Sequence, residues 1–355
     1  MNATTLPLAL DRRSLPYNRG GVMPSTSLRI GVTTEFHNRA GARLPEIVPD
    51  ANIILLDAEG VWSADPAGLD AFFFSEDLYY LPDAFGAFVE LLSSSPPKWM
   101  QTASTGVDHS LFAHLLDSGA TVTNSPGVHG STIAEYVFAY ILSHAKRLPQ
   151  HAANQADRAW TPLESMELAG ATLGIVGYGG IGEGCARLAK AFGMRTLATK
   201  RRMPESDVLD MHFSPDRLHE LLAASDYVVL CCPLTDETLN LIDRDAIAAM
   251  QSHSLLINVA RGRVLDHEAL AVALESNAIA GAVLDVAPIE PLRPDSPLWD
   301  LPNCQITPHD SCHVDASYMR TADIFFVNLA HLNNAEPLEW VVTDIELSDP
   351  SIGDV

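Results

Sequence analysis

Positive charge is scarce in this chain: 22 lysines and arginines stand against 45 aspartates and glutamates, a formal net charge of -23. A field of that sign repels polyphosphate and anionic headgroups, which argues against nucleic acid or a membrane surface as partner. A small anionic ligand must therefore be drawn in by local cations. Cysteine is scarce as well. Cys185, Cys231, Cys232, Cys304 and Cys312 are odd in number and contain no C-x-x-C pair, so they read as buried thiols of a reducing, cytoplasmic compartment rather than as a disulfide framework, and no metal site is expected. Long apolar runs are missing too: none reaches the roughly 18 residues of a membrane span. Near the N-terminus the apolar patch Leu6–Leu10 precedes Arg12, Arg13 and Arg19. A secretory signal has the opposite order, so residues 1–27 read as an N-terminal extension.

What is present is a regular alternation of strand and helix. A length of 355 residues with 47% apolar content suggests two domains with substantial cores. Apolar strand-type runs occur at Leu28–Val32, Asn52–Leu56, Ala71–Phe74, Trp99–Thr102 and Ala120–Val122, with helical spacing at Ala84–Leu92 and Ser110–Leu116. The stretch Thr132-Ile133-Ala134-Glu135 reads as a capping box that opens a helix running to about Ala145. Strands are expected again at Leu173–Val176, Arg195–Thr199, Tyr227–Cys231, Leu255–Val259, Gly281–Leu284 and Gln305–Thr307, followed by a last helix, Ala316–Leu332. Such alternation predicts an α/β protein with parallel sheets covered by helices on both faces. The last helix lies beyond the second set of strands and is expected to pack back on the first domain. The predicted arrangement is thus 28–130 and 314–345 as a substrate domain, with 131–313 inserted as a dinucleotide domain. The aromatic run Phe72–Tyr80 can serve either the core or a pocket for a bulky side chain. The proline-rich stretch Pro288–Pro302 reads as a stiff loop.

The second domain opens on Gly177-Tyr178-Gly179-Gly180-Ile181-Gly182, placed between an apolar strand and a helix marked by Cys185, Leu188, Ala189 and Phe192. In G-x-G-x-x-G the first glycine allows the tight turn, the second admits a pyrophosphate, and the third lets helix and strand pack closely. Free amides at the helix start bind the anion. The following strand ends in Lys200-Arg201-Arg202. An NAD site carries an acidic residue there, whereas cations accommodate a 2'-phosphate. NADP(H) is therefore the preferred cofactor and NAD(H) the other possibility. A solvated basic turn is the plainer reading of the same trio.

The chain resembles the D-isomer-specific 2-hydroxyacid dehydrogenases, of the glyoxylate/hydroxypyruvate reductase kind. The residues that carry the resemblance are the glycine turn, Asn258-Val259-Ala260-Arg261-Gly262, Asp285-Val286 with Glu290-Pro291-Leu292, and Thr307-Pro308-His309. Earlier pieces are Ser104-Thr105-Gly106-Val107-Asp108-His109 and Thr123-Asn124-Ser125-Pro126-Gly127. The match runs from about residue 100 onward, and the first 100 residues agree only in rhythm.

The resemblance implies two doubly wound domains, a Rossmann cofactor domain inserted into a flavodoxin-like substrate domain. It implies Arg261, Glu290 and His309 as catalytic set, with His309 as proton donor, Glu290 as its carboxylate partner and Arg261 on the substrate carboxylate. Histidine suits proton transfer near neutrality, a neighbouring anion favours its charged form, and guanidinium grips carboxylates in bidentate fashion. By the same resemblance Thr105 and Gly106 clamp the substrate, Asp285 meets the nicotinamide carboxamide, and Ala260, Pro233 and Thr238 lie along the cofactor. Trp160 falls where some relatives send an aromatic into the neighbouring subunit's pocket, and it can equally be a packing residue. A homodimer is implied. The expected reaction is reduction of a small anionic 2-keto acid to a D-2-hydroxy acid. An NAD-linked hydroxyacid or phosphite dehydrogenase, and a cofactor-sensing corepressor-like interaction protein, are the other readings.

Overall fold

Short apolar strands separated by helices leave parallel pairing as the way to bury both strand faces, and that pairing is what the computed structural model of the chain shows. It describes residues 27–202 and 206–343. The extension predicted for residues 1–27 falls almost wholly outside the described residues, as do 344–345 of the first domain. The chain divides into two compact units: one holds the residues up to Val107, Leu111–Pro126 and the chain from Tyr318, and the other holds Asp108–Ser110 and Gly127–Ser317.

In the first unit β1 (Arg29–Thr33), β2 (Asn52–Leu56), β3 (Ala71–Phe74), β4 (Trp99–Thr102) and β5 (Thr121–Thr123) form an all-parallel sheet in the order β2-β1-β3-β4-β5. This is the flavodoxin-like order, with its switch point between β1 and β3. One face buries Phe36, Phe73, Trp99, Phe325 and Phe326. Phe325 comes from the final helix, Asp315–Asn333, and stacks on Phe73 with ring centroids 4.6 Å apart. Losing one such buried ring costs about 3–5 kcal/mol, so this helix is part of the unit's core. The other face buries Phe72, Phe74 and Phe88. The three consecutive phenylalanines of β3 are thus core on both sides, while Tyr79 and Tyr80 stay about half exposed.

The second unit contains β6 (Thr172–Val176), β7 (Arg195–Thr199), β8 (Met211–Phe213), β9 (Tyr227–Leu230), β10 (Leu255–Asn258), β11 (Gly281–Leu284) and β12 (Cys304–Ile306). Their order is β12-β11-β10-β9-β6-β7-β8, a Rossmann order with one added strand. Its switch point lies between β6 and β9.

One local expectation is corrected. The helix predicted to open on a Thr132–Glu135 capping box begins at Gly130, with His129 at its N-cap and no side-chain cap hydrogen bond there. Thr132 is buried inside the first turn. The earlier start follows from packing: a Cβ at Gly130 would lie 2.7 Å from the Gly180 carbonyl oxygen, so only glycine lets this helix begin where it touches the glycine turn.

Candidate active site

The carboxyl edge of the second sheet collects the polar residues. Gly177 follows β6, Lys200 follows β7 and Pro233 comes after β9, while Arg261, Asp285 and Thr307 follow β10, β11 and β12. From β12 to β7 the edge crosses five inter-strand spacings, roughly 24 Å at about 4.8 Å each. That is room for an extended ligand rather than a single small molecule.

At the switch point Gly177 has φ 95°, a left-handed conformation, and a Cβ there would meet the Cys232 backbone nitrogen at 2.6 Å. A Cβ on Gly182 would lie 2.6 Å from the Gly177 carbonyl oxygen, the close helix-to-strand contact expected of the third glycine. Gly179 differs: a Cβ there meets nothing within 4 Å, and both Gly179 and Gly180 are exposed. The free amides of the helix Gly180–Ala191 therefore open onto space, the arrangement that takes a phosphate. Ile181 is half-buried in the first turn. Tyr178 is buried and its hydroxyl bonds the Ser206 hydroxyl at 2.8 Å, so its side chain is turned to that bond.

Lys200, Arg201 and Arg202 are all exposed beyond β7, and Arg201 reaches Glu237 at 3.4 Å. Thr238 accepts from the Thr235 amide at 2.7 Å and donates to the Pro233 carbonyl, which fixes the loop after β9. Ala260 is buried, and its carbonyl accepts from Arg261. These residues fit a dinucleotide: an amide-lined turn at the switch point with cations one strand away.

On the other side of the edge four ionisable side chains cluster. His309 Nδ1 lies 2.8 Å from Glu290 Oε2, and Glu290 Oε1 accepts from the Ala287 amide at 2.9 Å. Burial pulls the Glu290 carboxyl upward, but the hydrogen bond and charge of His309, the Ala287 amide and Arg261 outweigh it, so it stays ionised below its ordinary range. Arg261 grips Asp108 through Nε at 2.8 Å and Nη2 at 3.0 Å. Asp108 is likewise held below the usual carboxylate range, since Arg261, a backbone amide and His309 outweigh the opposing effect of burial. Arg261, Glu290 and His309 therefore sit within one another's fields, with His309 and Glu290 partly open at 43% and 37% side-chain exposure.

Asp285 is placed differently from a ligand contact at the surface. It is 1% exposed and accepts from the Thr307 hydroxyl and from the backbone amides of Asp310 and Ser311. Thr105 and Gly106 belong to the first unit, in the loop after β4. There the Thr105 hydroxyl donates to the Ser125 carbonyl at 2.9 Å, and its own carbonyl accepts from Asn124 at 2.7 Å. Side chain and carbonyl are thus committed to bracing the loop.

Asp108 is the functional residue that sequence reasoning passed over. Its partner is 153 residues away, and spacing cannot reveal such a pair. The charge of an acidic residue beside Thr105-Gly106 was the available signal.

Residues 138–311 match the family model "D-isomer specific 2-hydroxyacid dehydrogenase, NAD binding domain". A glyoxylate reductase of Korarchaeum cryptofilum is 37% identical over 246 residues, covering 66% of this chain and 72% of that protein. Among solved structures, a D-isomer specific 2-hydroxyacid dehydrogenase family protein from Aeromonas salmonicida superposes with TM-score 0.76 at 26% identity, over 90% of this chain and 99% of its own. An NADPH-dependent glyoxylate/hydroxypyruvate reductase from Sinorhizobium meliloti, solved with NADP and malonate, gives TM-score 0.69 at 27% identity over 92% of this chain and 100% of its own.

Proposed function

The chain belongs to the D-isomer-specific 2-hydroxyacid dehydrogenases, a family of NAD(P)-dependent oxidoreductases, and we propose that it reduces a small 2-keto acid to the D-2-hydroxy acid with NADPH preferred. The observation that carries this reading is the His309–Glu290 pair at 2.8 Å in the field of Arg261. Reduction adds a hydride to C2 and a proton to the carbonyl oxygen. The nicotinamide, when bound, supplies the hydride. His309 gives the proton from its ring, and Glu290, accepting at Nδ1, fixes the ring's orientation. Arg261 orients the substrate carboxylate and polarises the keto group, and Asp108 holds the guanidinium in its fork geometry. In the first unit the braced Thr105–Gly106 loop leaves its amides as the groups for a carboxylate.

The core supports a small substrate. With Phe72, Phe73 and Phe74 all buried, the aromatic run supplies packing rather than a wide aromatic pocket, which favours glyoxylate or hydroxypyruvate over aromatic keto acids. Initial rates of NADPH and NADH oxidation against keto acids from glyoxylate to phenylpyruvate test the reading. Turnover of the small acids is expected. Cofactor binding without turnover of any of them would move the assignment to a corepressor-like sensor, and turnover of phosphite with NAD would move it to the other dehydrogenase class.

Cofactor choice rests on Lys200, Arg201 and Arg202. Neutralising all three is expected to weaken NADPH by at least about 10–100-fold, the value of a single lost charged hydrogen bond at about 1.5–3 kcal/mol. NADH binding, measured by the same fluorescence titration, should hardly change. Equal losses for both would assign the trio to the solvated surface.

We also propose a homodimer. The helix Leu148–Ala156 has no buried residue, and Trp160 just beyond it is 100% exposed, an apolar surface that a second copy of the chain would cover. Analytical ultracentrifugation at micromolar concentration should give twice the chain mass, and a clean monomer would overturn the proposal.

A further inference from the structure

One set of buried polar groups in the second unit is not used by the chemistry above, and it converges on a single carboxylate. Asp285 Oδ1 accepts from the Thr307 hydroxyl at 2.8 Å and the Asp310 amide at 3.1 Å, and Oδ2 accepts from the Ser311 amide at 3.3 Å. These three donors bracket His309 in sequence. His309 itself has φ 56°, the left-handed region that a residue with a side chain rarely occupies. Such a conformation costs about 1–3 kcal/mol and persists where its surroundings over-determine it.

A fourth group completes the set. Tyr136, on the helix Gly130–Ala145, sets its hydroxyl against the Thr307 hydroxyl. Geometry fixes the direction of that bond. Thr307 has one hydroxyl proton and gives it to Asp285, so Tyr136 must be the donor to Thr307. Burial, aided by the charge of Asp285, pushes the Tyr136 phenol upward, so it keeps its proton throughout the working range. The Tyr136 ring lies 4.9 Å from that of Tyr140 and its hydroxyl also bonds the Tyr140 side chain, so phenylalanine keeps the ring contact and loses both hydroxyl bonds, whereas Thr307→Val removes the Thr307 bond alone.

We propose that Tyr136 is a positioning residue for the proton donor: through Thr307 and Asp285 it holds the segment Thr307–Ser311 in the conformation that presents the His309 ring. The chain of donors runs one way, from Tyr136 to Thr307 to the Asp285 carboxylate. Removing the first donor leaves the Thr307 oxygen under-satisfied in a part-buried site and loosens the group that bonds both residues following His309. The proposal rests on His309 as proton donor. A displaced donor slows proton delivery without altering what the cofactor or the substrate carboxylate touches.

The experiment compares Tyr136→Phe, Thr307→Val, Thr307→Ser and His309→Ala with the full-length enzyme, using NADPH and the best small keto acid. In Tyr136→Phe and Thr307→Val, kcat is expected to fall about tenfold, the effect of about one hydrogen bond's free energy. The substrate KM and the NADPH Kd should stay within about twofold. The solvent deuterium isotope effect on kcat should rise, because proton delivery becomes limiting, and Thr307→Ser should restore both values by keeping the hydroxyl. If Tyr136→Phe does not fold, the valine and serine variants of Thr307 decide the matter. Wild-type kcat and isotope effect in Tyr136→Phe and Thr307→Val, with His309→Ala inactive, would overturn the positioning role and leave the donor reading intact. A rate loss that follows melting temperature with no change in isotope effect would also overturn it. Activity retained by His309→Ala would instead remove the reading on which it rests.

Discussion

Replacing His309 with alanine is expected to lower kcat for keto-acid reduction by about 10²–10⁴-fold, the span that a positioned general acid contributes. The site explains why nothing nearby takes over. Arg261 is held by Asp108 and cannot lose a proton in the working range, and Glu290 is kept ionised, so neither can act as donor. NADPH affinity should be preserved, because the glycine turn and the cations beyond β7 lie on the far side of the sheet edge. Glu290→Gln tests the same assignment with a pH profile. Removing the carboxylate frees the His309 ring from its 2.8 Å partner and should lower kcat/KM at every pH. The acid side should be flat well below neutrality in the wild type, since Glu290 stays ionised there. Near-normal reduction by His309→Ala at pH 7, measured as initial rate of NADPH loss, would exclude His309 as donor.

How much of this was legible in the sequence depends on the range of the interaction. The strands β2, β3, β4, β7 and β11 were readable to the residue, because short apolar runs bounded by turns carry their own signal. The glycine turn was readable for the same reason: Gly177 and Gly182 perform a local task that no other residue can. β8 was not seen, since Met211-His212-Phe213 is only three residues long, with two of them exposed. The start of the helix at Gly130 was misread because contact with Gly180, fifty residues on, overrode a local capping pattern. Within the site, Arg261, Glu290 and His309 were visible as a pattern but their partners were not. The grip of Asp108 on Arg261 and the chain from Tyr136 to Asp285 join residues far apart in sequence, and hydrogen bonds of that kind leave no periodicity to read.

Arg261→Ala is expected to lower kcat/KM by about 10²–10⁴-fold, as two charge-assisted hydrogen bonds to the substrate are worth about 3–6 kcal/mol together. NADPH affinity should change little. Stability has to be followed at the same time, because the substitution also strips Asp108 of its partner. Removing one member of a fully buried pair costs about 3–5 kcal/mol, and Asp108 is 15% exposed on its side chain, so the cost here is smaller and part of it is relieved by proton uptake. The pH dependence separates the two effects. Asp108 is held below its ordinary range in the folded wild type, so its stabilising contribution is complete above that range and is lost as pH falls through the folded value. The gap in melting temperature between wild type and Arg261→Ala should therefore be widest near neutrality and narrow on acidification, while the loss of kcat/KM at neutral pH persists. Asp108→Asn provides the complementary case. It keeps the guanidinium and a neutral acceptor, so it should bind substrate more weakly yet retain far more turnover than Arg261→Ala. If Arg261→Ala loses NADPH affinity in step with turnover, the guanidinium serves the cofactor; if it loses only kcat/KM, the pair of Asp108 and Arg261 is the substrate's anchor, with the carboxylate aiming a cation that would otherwise have several places to point.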